Sequence, residues 1–89
     1  MDKYFDWSEE KNSLLKSARG ITFEDIVVSL ENGKLLDKIK SPTHAGQECY
    51  VVEIECYVYI VPFVEDEEKI FLKTIYPSRK YTKYYLSKD

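Results

Sequence analysis

The chain has 89 residues, of which 44% are hydrophobic and 33% charged, and its formal net charge is −3. This composition is typical of a soluble globular chain, and the length predicts a single domain over residues 1–89. The longest uncharged apolar run, residues 56–64, is far shorter than the ~18 residues of a membrane span. The first residues also lack the apolar stretch of a secretion signal, so we expect a cytoplasmic protein with no membrane contact.

The charge is unevenly distributed along the chain. Residues 1–68 hold seven Lys or Arg and fifteen Asp or Glu, a balance of −8, whereas residues 69–89 hold six Lys or Arg and one Asp, a balance of +5. Charges within a Debye length of about 8 Å dominate binding to an anion. The C-terminal end can therefore hold a phosphate although the whole chain is acidic; a solvated Lys-rich tail is the alternative.

The cysteines and the one histidine do not form a metal-binding pattern. Cys49 and Cys56 are spaced C-x6-C, which fits neither zinc-ribbon nor redox spacing, and His44 cannot complete a four-ligand site with them. The two cysteines fall at opposite ends of one predicted strand, roughly 20 Å apart at ~3.3 Å per residue, too far for a disulfide. We therefore expect no metal and no cofactor.

Two helices are predicted in the first part of the chain. The first is expected to extend from Ser8 to Gly20, with Ser8 itself or Asp6 as its N-cap and the glycine as a left-handed C-cap. Thr22 and Asp25 stand at the spacing of a capping box, which predicts the start of a second helix. Gly33 is expected to close that helix.

Strands are predicted in the second part of the chain. A weakly alternating segment, residues 34–39, is followed by a loop and then by three segments rich in Val, Ile, Tyr and Phe, namely 49–54, 57–64 and 69–76. The breaks between these three are so short that only antiparallel hairpins can join them. Ser78 can cap a closing helix. The predicted fold is α+β, with two N-terminal helices packed on a four-stranded antiparallel sheet and a short C-terminal helix.

Neither face of this predicted sheet is polar. Strand alternation places Tyr50, Val52, Val61, Phe63 and Leu72 on one face and Val51, Val58, Ile60, Phe71 and Ile75 on the other. The two helices can cover one face, which leaves the other for the C-terminal segment or for a partner protein. We expect part of the face that the helices leave, either the second set or its counterparts on the first face, to stay uncovered and to serve as a docking patch.

Short motifs along the chain resemble the BrnT-like toxins of type II toxin–antitoxin systems, within the RelE/ParE superfamily. Phe5–Trp7, Lys11–Asn12 and Gly20–Asp25 are similar to an F-x-W opening and a G-V/I-S/T-F-E-E/D helix start. Ser41–Glu48 resembles the loop that carries a D-x-x-H-S-like run in that family. Ile75–Lys83 looks like its I-I-S-A-R-R/K-A-T-R/K signature. The order and spacing of these motifs within so short a chain carry the resemblance.

The chain departs from the family pattern at two places. Ala18-Arg19-Gly20 stands where the family has K-H-G, so the histidine is absent, and Thr74 replaces an arginine of the last strand, with Lys73 beside it. The family's nuclease site therefore does not transfer as a whole.

The resemblance implies a metal-independent endoribonuclease that cleaves RNA, ribosome-associated or free, to arrest translation. Its partner would be a cognate antitoxin, in a complex that can be a heterotetramer. Metal-free cleavage needs a base for the 2′-OH, cations for the phosphorane and an acid for the leaving oxygen. We assign Arg79, Lys73 and His44 as candidate catalytic residues, with Arg79 foremost because its guanidinium can bind phosphate in two places. Lys80, Lys83 and Tyr81 are candidate RNA-contact residues.

Two other functions remain compatible with the sequence. The first is a non-catalytic interaction module whose sheet binds a partner protein. The second is a ParE-like toxin that acts on a topoisomerase and does not cleave RNA. Tyr84 and Tyr85, like Tyr81, can stack on bases or anchor the tail on the protein body.

Overall fold

The computed structural model describes residues 3–41 and 45–87 and confirms the α+β class. In chain order the elements are β1 (Tyr4–Asp6), α1 (Glu9–Arg19), α2 (Phe23–Glu31), β2 (Leu35–Lys40), β3 (Glu48–Ile54), β4 (Tyr57–Glu65), β5 (Lys69–Leu72), β6 (Tyr76–Pro77) and α3 (Arg79–Leu86). Within the described ranges, the structure has no helix of the length and apolarity needed to cross a membrane.

The boundaries of α1 and α2 are those that the capping pattern predicts. The Ser8 side chain accepts a hydrogen bond from the first turn of α1, and Gly20 ends that helix in the left-handed conformation, with φ 71°. Thr22 and Asp25 form a reciprocal capping box at the start of α2, in which each side chain accepts from the other's backbone N–H. Gly33, with φ 76°, follows the end of α2. These predictions are confirmed because caps depend on local chemistry.

The sheet differs from the predicted four-stranded antiparallel one. Its strand order is β1-β5-β4-β3-β2, and β6 pairs with β4 as well, which makes six strands. The pairs from β2 to β5 are antiparallel, but β1 pairs with β5 in parallel, so the sheet is mixed. The prediction was wrong because a three-residue strand such as β1 is too short to show a period in the sequence.

A bulge divides the last predicted strand into β5 and β6. Leu72 lies opposite Phe63 and Tyr76 lies opposite Ile60, so four steps along this strand match three steps along β4. One extra residue in a strand moves every side chain after it to the opposite face of the sheet. Ile75 therefore joins the core beneath α1 and α2, 1% exposed, instead of the opposite face that unbroken alternation predicts.

Each face of the sheet has its own hydrophobic core. The larger core lies between the sheet and the first two helices and includes Leu15, Phe23, Ile26, Val52 and Phe63. The smaller core, formed by Cys49, Val51, Val58 and Ile60, is covered by Tyr81, Tyr85 and Leu86 of α3 and by residues of β2.

The docking patch expected on the second face is therefore not present. Val51 and Val58 are fully buried, Ile60 is 3% exposed, and Phe71 is half-buried. Of the two ways to cover this face that the sequence left open, the C-terminal segment is the one observed. The helix can do so because its inward positions, Tyr81 and Tyr85, are one turn apart.

Candidate nucleic-acid interface

Hydrogen bonds fix α3 to β4 near the start of the helix. The Ser78 N–H donates to the Val58 carbonyl at 2.9 Å, and the Val58 N–H donates to Thr82 Oγ1 at 2.8 Å. The Thr82 hydroxyl in turn donates to the Ser78 carbonyl at 2.7 Å. The backbone N–H and carbonyl of Val58 are thus both bonded, by α3 and by its N-cap Ser78. The short strand β6 pairs only with the next two residues of β4, Tyr59 and Ile60. This arrangement sets the position of the helix on the sheet.

A second contact holds the C-terminal half of α3. The Tyr85 hydroxyl donates to Asp37 Oδ2 of β2 at 2.9 Å. Burial, together with this hydrogen bond and the negative charge of Asp37, raises the pKa of Tyr85 to about 12. The phenol therefore stays protonated and keeps its bond to β2 at neutral pH.

The outward surface of α3 is cationic and carries an exposed aromatic ring. Arg79, Lys80 and Lys83 are all exposed, and the Tyr84 side chain is 75% exposed. Tyr84 and Tyr85 form an edge-to-face contact, with ring centroids 4.8 Å apart, so the Tyr84 ring packs on an anchored neighbour. A shallow groove lies among Lys80, Lys83 and the two tyrosines Tyr81 and Tyr84. We call this set, with Arg79, the α3 surface.

Two of the three cations of the α3 surface oppose the usual charge preference of a helix, whereas Lys83, in the last turn, agrees with it. Arg79 and Lys80 occupy the first turn of α3, which holds no acidic residue. The N-terminus of a helix carries a partial positive charge, so each cation there costs about 0.3–1 kcal/mol at low salt. Backbone N–H groups and cations together at such an end favour a bound anion.

The structure brings together three of the predicted site residues. Arg79, Lys80 and Lys83 share the exposed side of α3. Lys73 is also exposed but lies in the bulge between β5 and β6, where its N–H donates to the Pro62 carbonyl at 2.8 Å. His44, the only histidine of the chain, lies outside the described residues. The described part of the chain therefore places the phosphate-binding candidates but contains no imidazole base.

Among the tyrosines, Tyr81 points toward the protein body. It is half-buried against the smaller core and stacks on Tyr85 with centroids 6.1 Å apart, while Lys80 Nζ lies 5.6 Å from its ring centroid. Tyr84 is the aromatic residue of α3 that remains open for stacking. Thr82 has a positioning role that sequence reasoning did not assign, although it belongs to the C-terminal motif; a hydroxyl in mid-helix is the signal that could have indicated it.

A second groove lies between α1 and the bulge that follows β5. Lys11 and Arg19 of α1 line it together with Thr74 and Tyr76. Ala18, Arg19 and Thr74 are positions at which the sequence differs from the motifs that it resembles. They line one groove, with a cation on the helix side and a hydroxyl on the strand side.

Comparison with known proteins adds no relative. No protein-family model, no curated protein and no solved structure matches the chain.

Proposed function

We propose that this protein is an RNA-directed toxin of a type II toxin–antitoxin system and that it contacts RNA through the α3 surface. The observation that carries the proposal is the pair of cations, Arg79 and Lys80, in the first turn of α3, where they disfavour the helix. Lys83 and the exposed ring of Tyr84 extend the same surface. Cations that follow a backbone and an aromatic ring that stacks on a base are the two components of single-strand binding.

The proposed reaction is cleavage of the RNA backbone by its own 2′-OH, which needs no metal. Arg79 would bind the scissile phosphate and stabilise the charge of the phosphorane. His44 would take the proton of the 2′-OH as general base, and the 2′-oxygen would bond to phosphorus while the P–O5′ bond breaks. The departing 5′-oxygen would take a proton from water. A cognate antitoxin would suppress this activity in the cell. The element order, two helices before the antiparallel strands and one helix after them, supports the resemblance on which this part of the proposal rests.

RNA binding is tested by titrating the purified protein into a labelled single-stranded RNA at several salt concentrations. Three phosphate contacts predict a slope of log K against log salt of about −2, and Arg79→Ala, Lys80→Ala or Lys83→Ala should each reduce its magnitude by about 0.7. Tyr84→Ala should weaken binding by about 1–3 kcal/mol and leave the slope unchanged. Lys34→Ala, an exposed lysine in the turn after α2, is the matched control. An unchanged slope in all three α3 variants would refute the assignment of this surface.

Cleavage is tested separately, by incubating the protein with RNA in the presence of a chelator and by inducing its expression in growing cells. The toxin proposal predicts cut RNA and growth arrest, both lost in Arg79→Ala and both retained in Lys34→Ala. RNA binding without cleavage would support a non-catalytic module instead. Inhibited DNA supercoiling with intact RNA would support a toxin directed at a topoisomerase.

A further inference from the structure

The groove between α1 and the bulge after β5, here called the α1 groove, has an apolar floor and cationic ends. Leu14, 60% exposed, and Ala18 lie one turn apart on α1, and Tyr76, 37% exposed, faces them from β6. Lys11 and Arg19 stand at the two ends of this apolar stripe, eight residues apart on the helix and thus about 12 Å apart along its axis. None of the described residues that line the groove is a carboxylate, although the chain as a whole is acidic.

This combination fits a protein segment better than it fits RNA. An exposed leucine gains free energy only when apolar groups cover it, and a phosphate backbone offers none. Protein interfaces combine an apolar centre with a charged rim, which is the arrangement of Leu14 between Lys11 and Arg19. The two rim cations select a partner of opposite charge.

We propose that the α1 groove docks an acidic amphipathic helix of a partner protein. The helix would lie along α1, with its leucine-like side chains over Leu14 and Ala18. Its carboxylates would stand seven or eight residues apart, because at 1.5 Å per residue that spacing matches the distance between Lys11 and Arg19. No residue of α3 lines the groove, so this surface is separate from the one proposed to bind RNA.

The test uses a labelled synthetic helix of about four turns, with Leu at i, i+3 and i+4 and Glu seven residues apart, and measures its fluorescence anisotropy with the full-length protein. A second peptide carries Lys in place of every Glu. The Glu peptide should bind and the Lys peptide should not. Leu14→Ala should weaken binding about tenfold, since a largely buried leucine contributes roughly that factor. Lys11→Ala and Arg19→Ala should each weaken it about two- to fivefold, with less effect at high salt.

Lys16→Ala is the matched control, because Lys16 is an exposed lysine of the same helix that lies on the side of Thr22 and Glu24, away from the groove. Its affinity for the Glu peptide should equal that of the unmodified protein. Three outcomes overturn the proposal: no binding of the Glu peptide, equal binding of the two peptides, or full affinity in Leu14→Ala. Displacement of the peptide by RNA together with RNA binding that depends on Lys11 would assign the groove to nucleic acid instead. The peptide titration and the RNA titration probe different residues, so either proposal can fail alone.

Discussion

The hydroxyl of Thr82 should determine whether α3 stays on the sheet, and its removal gives the sharpest test of how the α3 surface is positioned. Thr82→Val keeps the shape and the β-branch of the side chain and has a similar helix propensity. It removes the acceptor of the Val58 N–H and the donor to the Ser78 carbonyl. Val58 is fully buried, so water cannot replace the lost acceptor without some opening of the structure.

The expected loss of stability follows from these two bonds. A buried N–H left without a partner costs about 1–3 kcal/mol. The Ser78 carbonyl loses less, because it still accepts from the Thr82 N–H at 3.0 Å. We therefore expect a decrease of about 2 kcal/mol in the free energy of unfolding, which corresponds to a fall in Tm of about 8–16 °C for a domain of this size.

Urea unfolding and thermal melting followed by circular dichroism measure this difference. Thr82→Ser is the matched control, since it keeps the hydroxyl and should remain within about 1 kcal/mol of the unmodified protein. If Thr82→Val and Thr82→Ser were equally stable, the hydroxyl would not hold α3 and the reasoning would be refuted. If the reasoning holds, Thr82→Val should also weaken RNA binding, although Thr82 belongs to the inner side of the helix.

Two further predictions concern other polar contacts, one buried and one at the surface. The Asn12 side chain, 8% exposed, accepts a hydrogen bond from the Phe23 N–H at 2.7 Å and thereby joins α1 to the start of α2. Asn12→Ala should lower the free energy of unfolding in urea by about 2 kcal/mol. Ser13→Ala, at the exposed next position, should leave it nearly unchanged. The raised pKa of Tyr85, about 12, implies a stabilising contribution that is fully present below about pH 10 and lost as the pH rises toward 12. The unmodified protein and Tyr85→Phe should therefore differ in unfolding free energy at pH 9, and this difference should be smaller at pH 11. A difference that does not change with pH would exclude the linkage.

The sequence predicted the helix that carries the candidate site but not which of its tyrosine rings is exposed. Capping predicts that α3 begins after Ser78. The helical repeat places Arg79 and Lys83 on one side of the helix and Tyr81 and Tyr85 on the other. The structure confirms both predictions. The sequence did not reveal that Tyr81 is committed to the smaller core, which leaves Tyr84 as the exposed ring. That difference depends on the rotation of α3 about its own axis. Contacts with residues distant in sequence, such as that of Tyr85 with Asp37, set this rotation.

The sequence by itself determined the features that depend on neighbours along the chain. The caps at Ser8, Thr22 and Gly20, the hairpins around β4 and the two apolar faces of the sheet all follow from local backbone chemistry and from the two-residue period of a strand. Only the tertiary structure decided the place of β1 beside β5, the bulge that turns Ile75 inward and the closure of the second face by α3. The first and last of these features join segments far apart in the chain, and the bulge lies where Ile75 is buried beneath the helices. Their stability comes from tertiary burial and hydrogen bonds, which no local pattern records.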